Sequence, residues 1–292
     1  MARLAIQPLS TKDAREYWRV FISGRSDLPT PDPKHHMELY LSLPPEEQRT
    51  HFAICLDDQI IGTVRLLPAA IAGFSMDPSY VDLARPAVLK AVDRLRARGA
   101  EAITATFEER YEPVFKDLGF RRHFARIRME APVSTGSLPI GLALRPPEEA
   151  EIAGLTEFLR DVYEGHIEQQ FGMHVGTPEE WRAYVAGLLK GEGGQFLPDA
   201  SFVALEGART VGAILITRWM GMPLVAELGV ARDRRMEGLG RALLQAAMNR
   251  LADRAEPRLS LYTTIGNDPA IHLYTKMGFT QLGGQAVTAR LE

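Results

Sequence analysis

The chain repeats itself, and this internal repeat constrains its fold more than any other feature of the sequence. Short strings in the first half of the 292 residues return in the same order in the second half, with similar flanking segments. The matched strings are Leu4–Pro8 with Leu142–Pro146, Phe52…Gly62 with Phe202…Gly212, and Gly119-Phe120 with Gly278-Phe279. An ordered repeat of this length predicts two structural units of one fold, placed one after the other.

Each copy mixes short apolar strands with amphipathic helices, which is typical of an α/β (α+β) domain. Asp57-Asp58-Gln59 and Glu206–Arg209 have the composition of hairpin turns between two strands. A stretch rich in proline, serine, threonine and glycine separates the copies. The predicted organisation is a first domain at residues 1–132, a linker at residues 133–140 and a second domain at residues 141–292.

The second copy contains a strand, a glycine-bearing turn and a helix in direct succession. Leu224–Val230 is a short apolar run, and apolar residues recur at helical spacing from Leu239 to Leu251. Gly238 and Gly240 therefore lie where the strand passes into the helix. The first amides of a helix lack internal acceptors and face the positive end of its dipole. The junction predicts an anion site, although a lone Gly-x-Gly is also common in simple tight turns.

The residues around this turn narrow the kind of anion site. The turn lacks the Gly-Lys-Ser/Thr ending of a P-loop, and Leu243 stands where the dinucleotide fingerprint needs a small residue. Three arginines are expected to add positive charge: Arg234, Arg235 and Arg241. Glu237 is expected to weaken the binding of a diphosphate unless its carboxylate points to solvent.

A second motif follows the next apolar strand, Leu259–Ile265. It reads Asn267-x-x-Ala270-x-x-x-Tyr274-x-x-x-Gly278-Phe279. Pro269 suits the first turn of a short helix, and Gly278 suits its left-handed C-terminal cap. A tyrosine on such a helix is either a half-buried core residue or a functional group.

Together the two motifs resemble the signatures of the GNAT superfamily of acyl-CoA-dependent N-acetyltransferases, over roughly residues 200–285. The resemblance implies two tandem GNAT-like domains, each a mixed, mostly antiparallel central sheet flanked by helices. It also implies acetyl-CoA as the co-substrate. The residues that it assigns to acetyl-CoA are Leu228, Gly229, Val230, Arg235, Met236, Glu237, Gly238, Leu239, Gly240, Arg241, Asn267, Ala270 and Tyr274.

The resemblance further implies direct attack of a primary amine on the thioester in a ternary complex. Tyr274 would protonate the departing thiolate, since a phenol of pKa about 10 is a plausible donor to a thiolate of pKa about 8.5. Glu227 is the candidate base; the alternative is a strand carboxylate paired with an arginine. A bulge near Gly229–Val230 would present strand amides to the oxyanion. Two other functions stay open: a non-catalytic acyl-CoA-binding or regulatory protein, and a transferase of a longer acyl group.

The acceptor site is expected in the distinctive stretch from Tyr163 to Trp181, which by the resemblance borders the amine. Its candidate substrate-binding residues are Tyr163, His166 and Phe171. Aromatic and acidic side chains suit a cationic, partly apolar amine, whereas the alternative is a helix pair that packs on the sheet. We expect a small-molecule amine rather than a protein acceptor.

The first copy lacks the residues that carry the chemistry in the second. No Gly-x-Gly occurs in the stretch Ser75–Asp82, and Phe115 stands where the second copy has Tyr274. This copy is predicted to keep the fold without the cofactor, so one acetyl-CoA is expected per chain. The protein is expected to be a monomer with an internal pseudo-dimer, or a homodimer.

The composition excludes several other classes of function. A net charge of −3 provides no general attraction to nucleic acid or to an anionic membrane. The single cysteine excludes an intrachain disulfide, and the histidines do not have the spacing of metal ligands, so no metal is expected. No apolar run is long enough to span a membrane, and a cytoplasmic location is expected.

Overall fold

The structure is a computed structural model that describes residues 3–23, 25, 32–138, 143–192, 194–219 and 221–292. The end of the predicted linker, residues 139 and 140, lies outside the described residues, as does Leu142 of the first repeated string. No helix in the described ranges is both long enough and apolar enough to cross a membrane.

Strands and helices alternate through both halves of the chain. The strands are β1 (Leu4–Pro8), β2 (His51–Leu56), β3 (Gln59–Leu67), β4 (Ala70–Met76), β5 (Ile103–Glu108), β6 (Arg121–Pro132), β7 (Ala143–Arg145), β8 (Gln195–Phe196), β9 (Phe202–Glu206), β10 (Arg209–Trp219), β11 (Met222–Val230), β12 (Arg258–Thr264) and β13 (Thr280–Leu291). The helices are α1 (Ala14–Ser23), α2 (Pro33–Ser42), α3 (Pro45–Gln48), α4 (Ala84–Arg96), α5 (Glu112–Asp117), α6 (Ile152–Tyr163), α7 (Pro178–Lys190), α8 (Leu239–Asp253) and α9 (Asp268–Lys276).

The first compact unit comprises residues 1–127 and 282–292. Its strands β1 to β5 are neighbours in chain order, and residues 286–291 of β13 pair antiparallel with β5. The β1–β2, β2–β3 and β3–β4 pairs are antiparallel, whereas β4 and β5 are parallel. A core that includes Val88, Leu95 and Phe115 joins α4 and α5 to the sheet, and a second cluster around Trp18 joins α1 and α2 to it.

The second compact unit comprises residues 128–281. The order of its strands is β7-β9-β10-β11-β12, followed by the part of β6 that belongs to this unit. The β7–β9, β9–β10 and β10–β11 pairs are antiparallel, and β11 and β12 are parallel. An added Cβ at Gly212 on β10 would meet α8, and one at Gly229 on β11 would meet α6, so helices pack on the sheet at both positions.

The predicted repeat is confirmed by equivalent contacts in the two units. Phe52 pairs with Val64, and Phe202 pairs with Ile214. In each unit, the two parallel strands, β4 with β5 and β11 with β12, are paired over two residues and then separate. The helices that precede the two Gly-Phe strings end in the same way. In each string the phenylalanine N–H donates to the carbonyl five residues earlier at 3.0 Å. The mixed, mostly antiparallel sheet with flanking helices is therefore present twice.

The compact units differ at two places from the predicted sequence segments. Residues 282–291 of the final strand lie in the first unit, although they belong to the predicted second domain. Residues 128–132 belong to the predicted first domain and lie in the second unit. A domain boundary predicted from composition divides the sequence into continuous segments. Strand pairing can place segments that are distant in sequence in the same compact unit. The assignment of residues 1–132 and 141–292 to two copies stays a prediction about sequence.

Candidate active site

The candidate site of the second unit begins where β11 and β12 separate. The two parallel strands are paired over two residues each, and the last pair is Val225 with Leu261. Beyond this point β11 continues to pair with β10 on its other side, up to Val230. The later half of β11 therefore has one edge in the ladder with β10 and one edge from which β12 has diverged.

A β-bulge marks the place where the strands separate. Glu227 pairs with Leu215, but Val225 pairs with the very next residue of β10, Ile216. Ala226 is thus the extra residue of β11, and a bulge of this kind bends its strand. The expectation of a bulge near Gly229–Val230 is wrong in its position.

Gly229 has a packing role in the structure. A Cβ added there would lie 3.2 Å from a methyl of Val162 and 3.4 Å from the ring of Phe158. Glycine therefore allows α6 to approach the strand closely, which is a different requirement from the bulge that the sequence suggested.

The open edge of β11 presents backbone amides. The N–H of Ala231 donates across to Val211 at 2.9 Å, next to the end of the ladder with β10. Since successive residues of a strand point their N–H groups to opposite edges, Leu228 and Val230 direct theirs away from β10. No side chain among the described residues accepts from either N–H. These two amides are suited to bind a carbonyl oxygen or an oxyanion.

The glycine turn lies at the start of α8, where the sequence predicted the junction of strand and helix. Gly238 has φ +84°, and an added Cβ would meet nothing within 4 Å, so glycine is needed there for its backbone angle. The first hydrogen bond of α8 runs from Ala242 N to Gly238 O at 3.0 Å. The preceding amides of Leu239, Gly240 and Arg241 have no acceptor within the helix.

The charged residues of the turn are arranged differently from the expectation. Arg235 does not face an anion: it donates to Val230 O at 3.2 Å and to Val162 O at 3.0 Å. The guanidinium instead ties the turn to the ends of β11 and α6. Burial, followed by the charge of Arg232, lowers the pKa of Arg235.

Glu237 is held away from the amides by a neighbour. Its carboxylate accepts from Arg234 Nε at 2.8 Å, and Arg234 also pairs with Glu206 at 2.6 Å. Arg241 is exposed and has no hydrogen bond or ion pair within the described ranges. Met236 is 94% exposed with φ +65°. Of the three arginines, Arg241 is therefore the one available to an anion at the start of α8.

The second motif forms α9 and its two ends. Tyr274 is 8% exposed, its ring lies 5.8 Å from that of Phe279, and it is close enough to Tyr163 to influence the pKa of that phenol. Asn267 precedes the helix, and its side-chain amide lies 3.2 Å from His166 Nε2. Ala270 is half-buried in the first turn of the helix.

Glu227 lies at the centre of the polar residues in this unit. It is 2% exposed, and each carboxylate oxygen accepts from a phenol: Oε2 from Tyr163 at 2.6 Å and Oε1 from Tyr184 at 2.5 Å. His174 Nε2 lies 3.6 Å from Oε1. The alternative interpretation of an arginine partner is wrong, because phenols and an imidazole surround the carboxylate.

A second buried carboxylate, Glu168, shares His174 with Glu227. His174 Nδ1 lies 3.0 Å from Glu168 Oε2, and the ring stacks on Tyr163 with 3.7 Å between centroids. Thr264 donates to Glu168 Oε1 at 2.5 Å. Burial lowers the pKa of His174, but its contacts with Glu168 and Glu227 raise it by more, to about 9. An imidazolium thus bridges the two carboxylates at neutral pH.

The predicted acceptor residues are only partly brought together. Tyr163 binds Glu227, and burial, followed by the charge of Glu227, raises its pKa. His166 lies against Asn267, and burial lowers its pKa. Phe171 ends a short 3-10 helix, Ile167–Phe171. These assignments to substrate binding stay predictions.

Four residues of this network were not among the predicted site residues. They are Glu168, His174, Tyr184 and Thr264. The signal available for Tyr184 was its spacing from Trp181, since residues three apart on a helix share a face. The two rings are indeed neighbours, with 6.0 Å between their centroids.

Comparison with known proteins agrees with this geometry. Residues 160–279 match the model of the Acetyltransferase (GNAT) family. A mycothiol acetyltransferase of Pseudarthrobacter chlorophenolicus is 28% identical over 200 residues, which are 63% of this chain and 59% of that protein. The chain thus spans about three fifths of the length of this curated relative.

Solved structures share the fold over almost the whole chain. A GCN5-related N-acetyltransferase from Sphaerobacter thermophilus has a TM-score of 0.77 at 16% identity and covers 99% of this chain and 95% of its own. A tandem GNAT protein from the clavulanic acid biosynthesis pathway has a TM-score of 0.66 at 14% identity, with 99% and 98% covered. The segment at residues 160–279 is therefore similar to the Acetyltransferase (GNAT) family, and the fold of the chain is that of solved GNAT structures.

Within the described residues, no group of three or more histidine, cysteine, aspartate or glutamate side chains has an arrangement that could hold a metal ion. The expectation that the protein uses no metal stays a prediction.

Proposed function

We propose that the protein is an acetyl-CoA-dependent N-acetyltransferase whose active site lies in the second unit. It transfers the acetyl group to a primary amine by direct attack in a ternary complex. The observation that supports this most is the open edge of β11, where no side chain in the described part of the chain accepts from the amides of Leu228 and Val230. Glu227 and Tyr274 belong to the same compact unit as this edge.

The residues present are suited to acetyl-CoA. A diphosphate fits the start of α8, where three amides lack helical acceptors and Arg241 is available. Acetyl-CoA supplies a thioester carbonyl as the electrophile. Of the amides of Leu228 and Val230, which lie two residues apart on one strand edge, one would stabilise the oxyanion that develops on that carbonyl and the other would bind the pantetheine arm. The Tyr274 hydroxyl would protonate the sulfur that leaves. Glu227 would receive the proton that the amine loses.

We propose a small-molecule amine as the acceptor. The similarity to a mycothiol acetyltransferase, which extends over 63% of the chain, favours this class. The aromatic rings of Tyr163, Trp181 and Tyr184 beside two buried carboxylates are suited to a cationic amine. A non-catalytic acyl-CoA-binding protein is the second candidate. The observation that favours it is the burial of Glu227, because a buried carboxylate is not accessible to an amine in solution.

Release of CoA thiol during acetyl transfer separates the two candidates. The assay uses acetyl-CoA with benzylamine, glucosamine, glycinamide and spermidine, one at a time. We expect turnover with at least one amine and a loss of about 100-fold in kcat for Tyr274→Phe, because general acid catalysis contributes on this scale. Binding of acetyl-CoA without thiol release from any amine, and the same background rate in both proteins, would support the non-catalytic binder.

The length of the acyl chain is tested in the same assay. Replacing acetyl-CoA by butyryl-CoA and hexanoyl-CoA should lower kcat/KM with the best amine. A higher value for a longer chain would replace the acetyl assignment by an acyltransferase of that chain length.

A further inference from the structure

Glu227 is too deeply buried for an amine in solution to reach it directly. Its side chain is 1% exposed, and both carboxylate oxygens already accept a phenol hydrogen. The role of base that the proposed function gives to Glu227 therefore requires a group that connects the carboxylate to the acceptor.

The three side chains around Glu227 differ strongly in exposure. Tyr163 is 9% exposed, and the side chain of His174 is 19% exposed. Tyr184 is 44% exposed and still donates to Glu227 Oε1 at 2.5 Å. Of the side chains that contact Glu227, Tyr184 is thus the one with a large surface open to solvent.

We propose that Tyr184 is a catalytic residue that contacts the acceptor amine and relays its proton to Glu227. This inference rests on the proposed function and adds to it the route of the proton. Tyr184 lies on α7, an element that carries none of the sequence motifs, and its phenol both donates and accepts hydrogen bonds.

The relay moves one proton from the amine to Tyr184 and one proton from Tyr184 to Glu227. As the bond between the amine nitrogen and the acetyl carbon forms, an N–H bond breaks and its proton moves to Tyr184 Oη. The original phenol proton moves to Glu227 Oε1, so that Tyr184 ends neutral and Glu227 becomes a carboxylic acid. The C–S bond breaks, and the sulfur takes a proton from Tyr274. Exchange of protons with water restores both residues.

The charges around Glu227 are arranged for this transfer. An amine nitrogen becomes strongly acidic as it forms its bond to the carbonyl carbon, so a carboxylate can accept its proton. When Glu227 is neutralised, the imidazolium of His174 keeps its contact with Glu168 at 3.0 Å. The buried site therefore does not acquire an unpaired positive charge, which would be costly at this depth.

The inference is tested by Tyr184→Phe, with Tyr80→Phe as the matched control. Tyr80 is also a partly exposed tyrosine whose hydroxyl makes a hydrogen bond, with Gln59 Oε1 at 3.1 Å, but it lies in the first unit. Thiol release is measured from pH 6.5 to 10 with the fastest amine of the panel. Calorimetry with acetyl-CoA is run in parallel, because binding of the co-substrate does not need the relay.

We expect Tyr184→Phe to lower kcat about 100-fold at pH 7, the scale of general base catalysis. The deficit should shrink towards the upper end of this pH range, because hydroxide ion can then accept the proton that the amine nitrogen loses as it attacks. Affinity for acetyl-CoA and the rate of Tyr80→Phe should match the wild type. A wild-type kcat in Tyr184→Phe, or a deficit that does not change with pH, would overturn the relay. Absence of wild-type turnover would instead contradict the proposed function and the relay with it.

Discussion

The two units place the same strand divergence in different chemical surroundings. In the first unit the divergence follows Ile71 on β4 and Ala105 on β5, and in the second it follows Val225 on β11 and Leu261 on β12. The backbone is thus repeated, whereas the side chains that face the divergence are not. Comparing the two shows which residues turn a shared fold into a binding site.

A strand amide shows the difference most clearly. Met76 pairs with Gly62 at the end of β4, and Val230 pairs with Gly212 at the end of β11. The N–H of Met76 donates to the buried hydroxyl of Tyr111 at 2.8 Å. The N–H of Val230 has no such side-chain acceptor among the described residues. The first unit therefore satisfies with a tyrosine hydroxyl an amide that has no side-chain acceptor among the described residues of the second unit.

The turns that follow β4 and β11 also differ in how their amides are bound. Asp77 N donates to Ile61 O at 2.8 Å, as Ala231 N donates to Val211 O. The Asp77 carboxylate then accepts from the amide of Ser79 at 3.0 Å. An aspartate of the chain thus binds an amide of this turn in the first unit.

The remaining space in the first unit is filled by aromatic rings. Phe115, which aligns with Tyr274, is fully buried and stacks on Phe107 with 3.8 Å between centroids. Phe74 packs edge to face against both Phe115 and Tyr111. These contacts support the proposal that the first copy keeps the fold and has lost the cofactor.

The largest expected effect on the affinity for acetyl-CoA comes from blocking the glycine turn of the second unit. Gly238→Trp should weaken the binding of acetyl-CoA by at least about 10-fold, because a large side chain would cover the first amides of α8. The matched control is Gly99→Trp, since Gly99 also has positive φ, +91°, with nothing within 4 Å of an added Cβ. Both changes carry the backbone cost of a left-handed residue, about 1 kcal/mol.

Calorimetry with acetyl-CoA measures both variants. Equal affinity for Gly238→Trp and the wild type would refute the location of the diphosphate. Equal weakening by Gly99→Trp would show that the effect arises from stability and not from the turn.

A smaller effect is expected from the internal acceptor of the first unit. Tyr111→Phe leaves the buried N–H of Met76 without its partner, which should cost about 1–3 kcal/mol in the free energy of unfolding. Affinity for acetyl-CoA should stay unchanged. Urea denaturation measures the first quantity, with Tyr80→Phe as a control that removes an exposed hydroxyl hydrogen bond and costs less than about 0.5 kcal/mol. A loss of acetyl-CoA affinity in Tyr111→Phe would contradict the division of roles between the units.

Local features of the sequence predicted the fold well. The Gly278-Phe279 cap, the hairpin turns at Asp57-Asp58 and Gly207-Ala208, and the strand before the glycine turn depend on near neighbours in the chain. Positive φ at Gly238 follows from the same kind of local constraint. Such features can be read from one segment at a time.

Contacts between distant segments could not be predicted in this way. Tyr184 and Tyr163 meet Glu227 across 43 and 64 residues of sequence, and their convergence requires the packed fold. The engagement of Arg235 with two carbonyls and the location of the final strand in the first unit have the same origin. Residue types identified the chemistry, and tertiary packing decides which atoms take part.

The stoichiometry of acetyl-CoA binding tests the central claim most directly, namely that acetyl-CoA binds at the open edge of β11 in the second unit and does not bind to the first unit. Isothermal titration of the wild-type protein should give one equivalent per chain, and Gly238→Trp should remove that site. A stoichiometry of two, or one equivalent that persists undiminished in Gly238→Trp, would contradict the account.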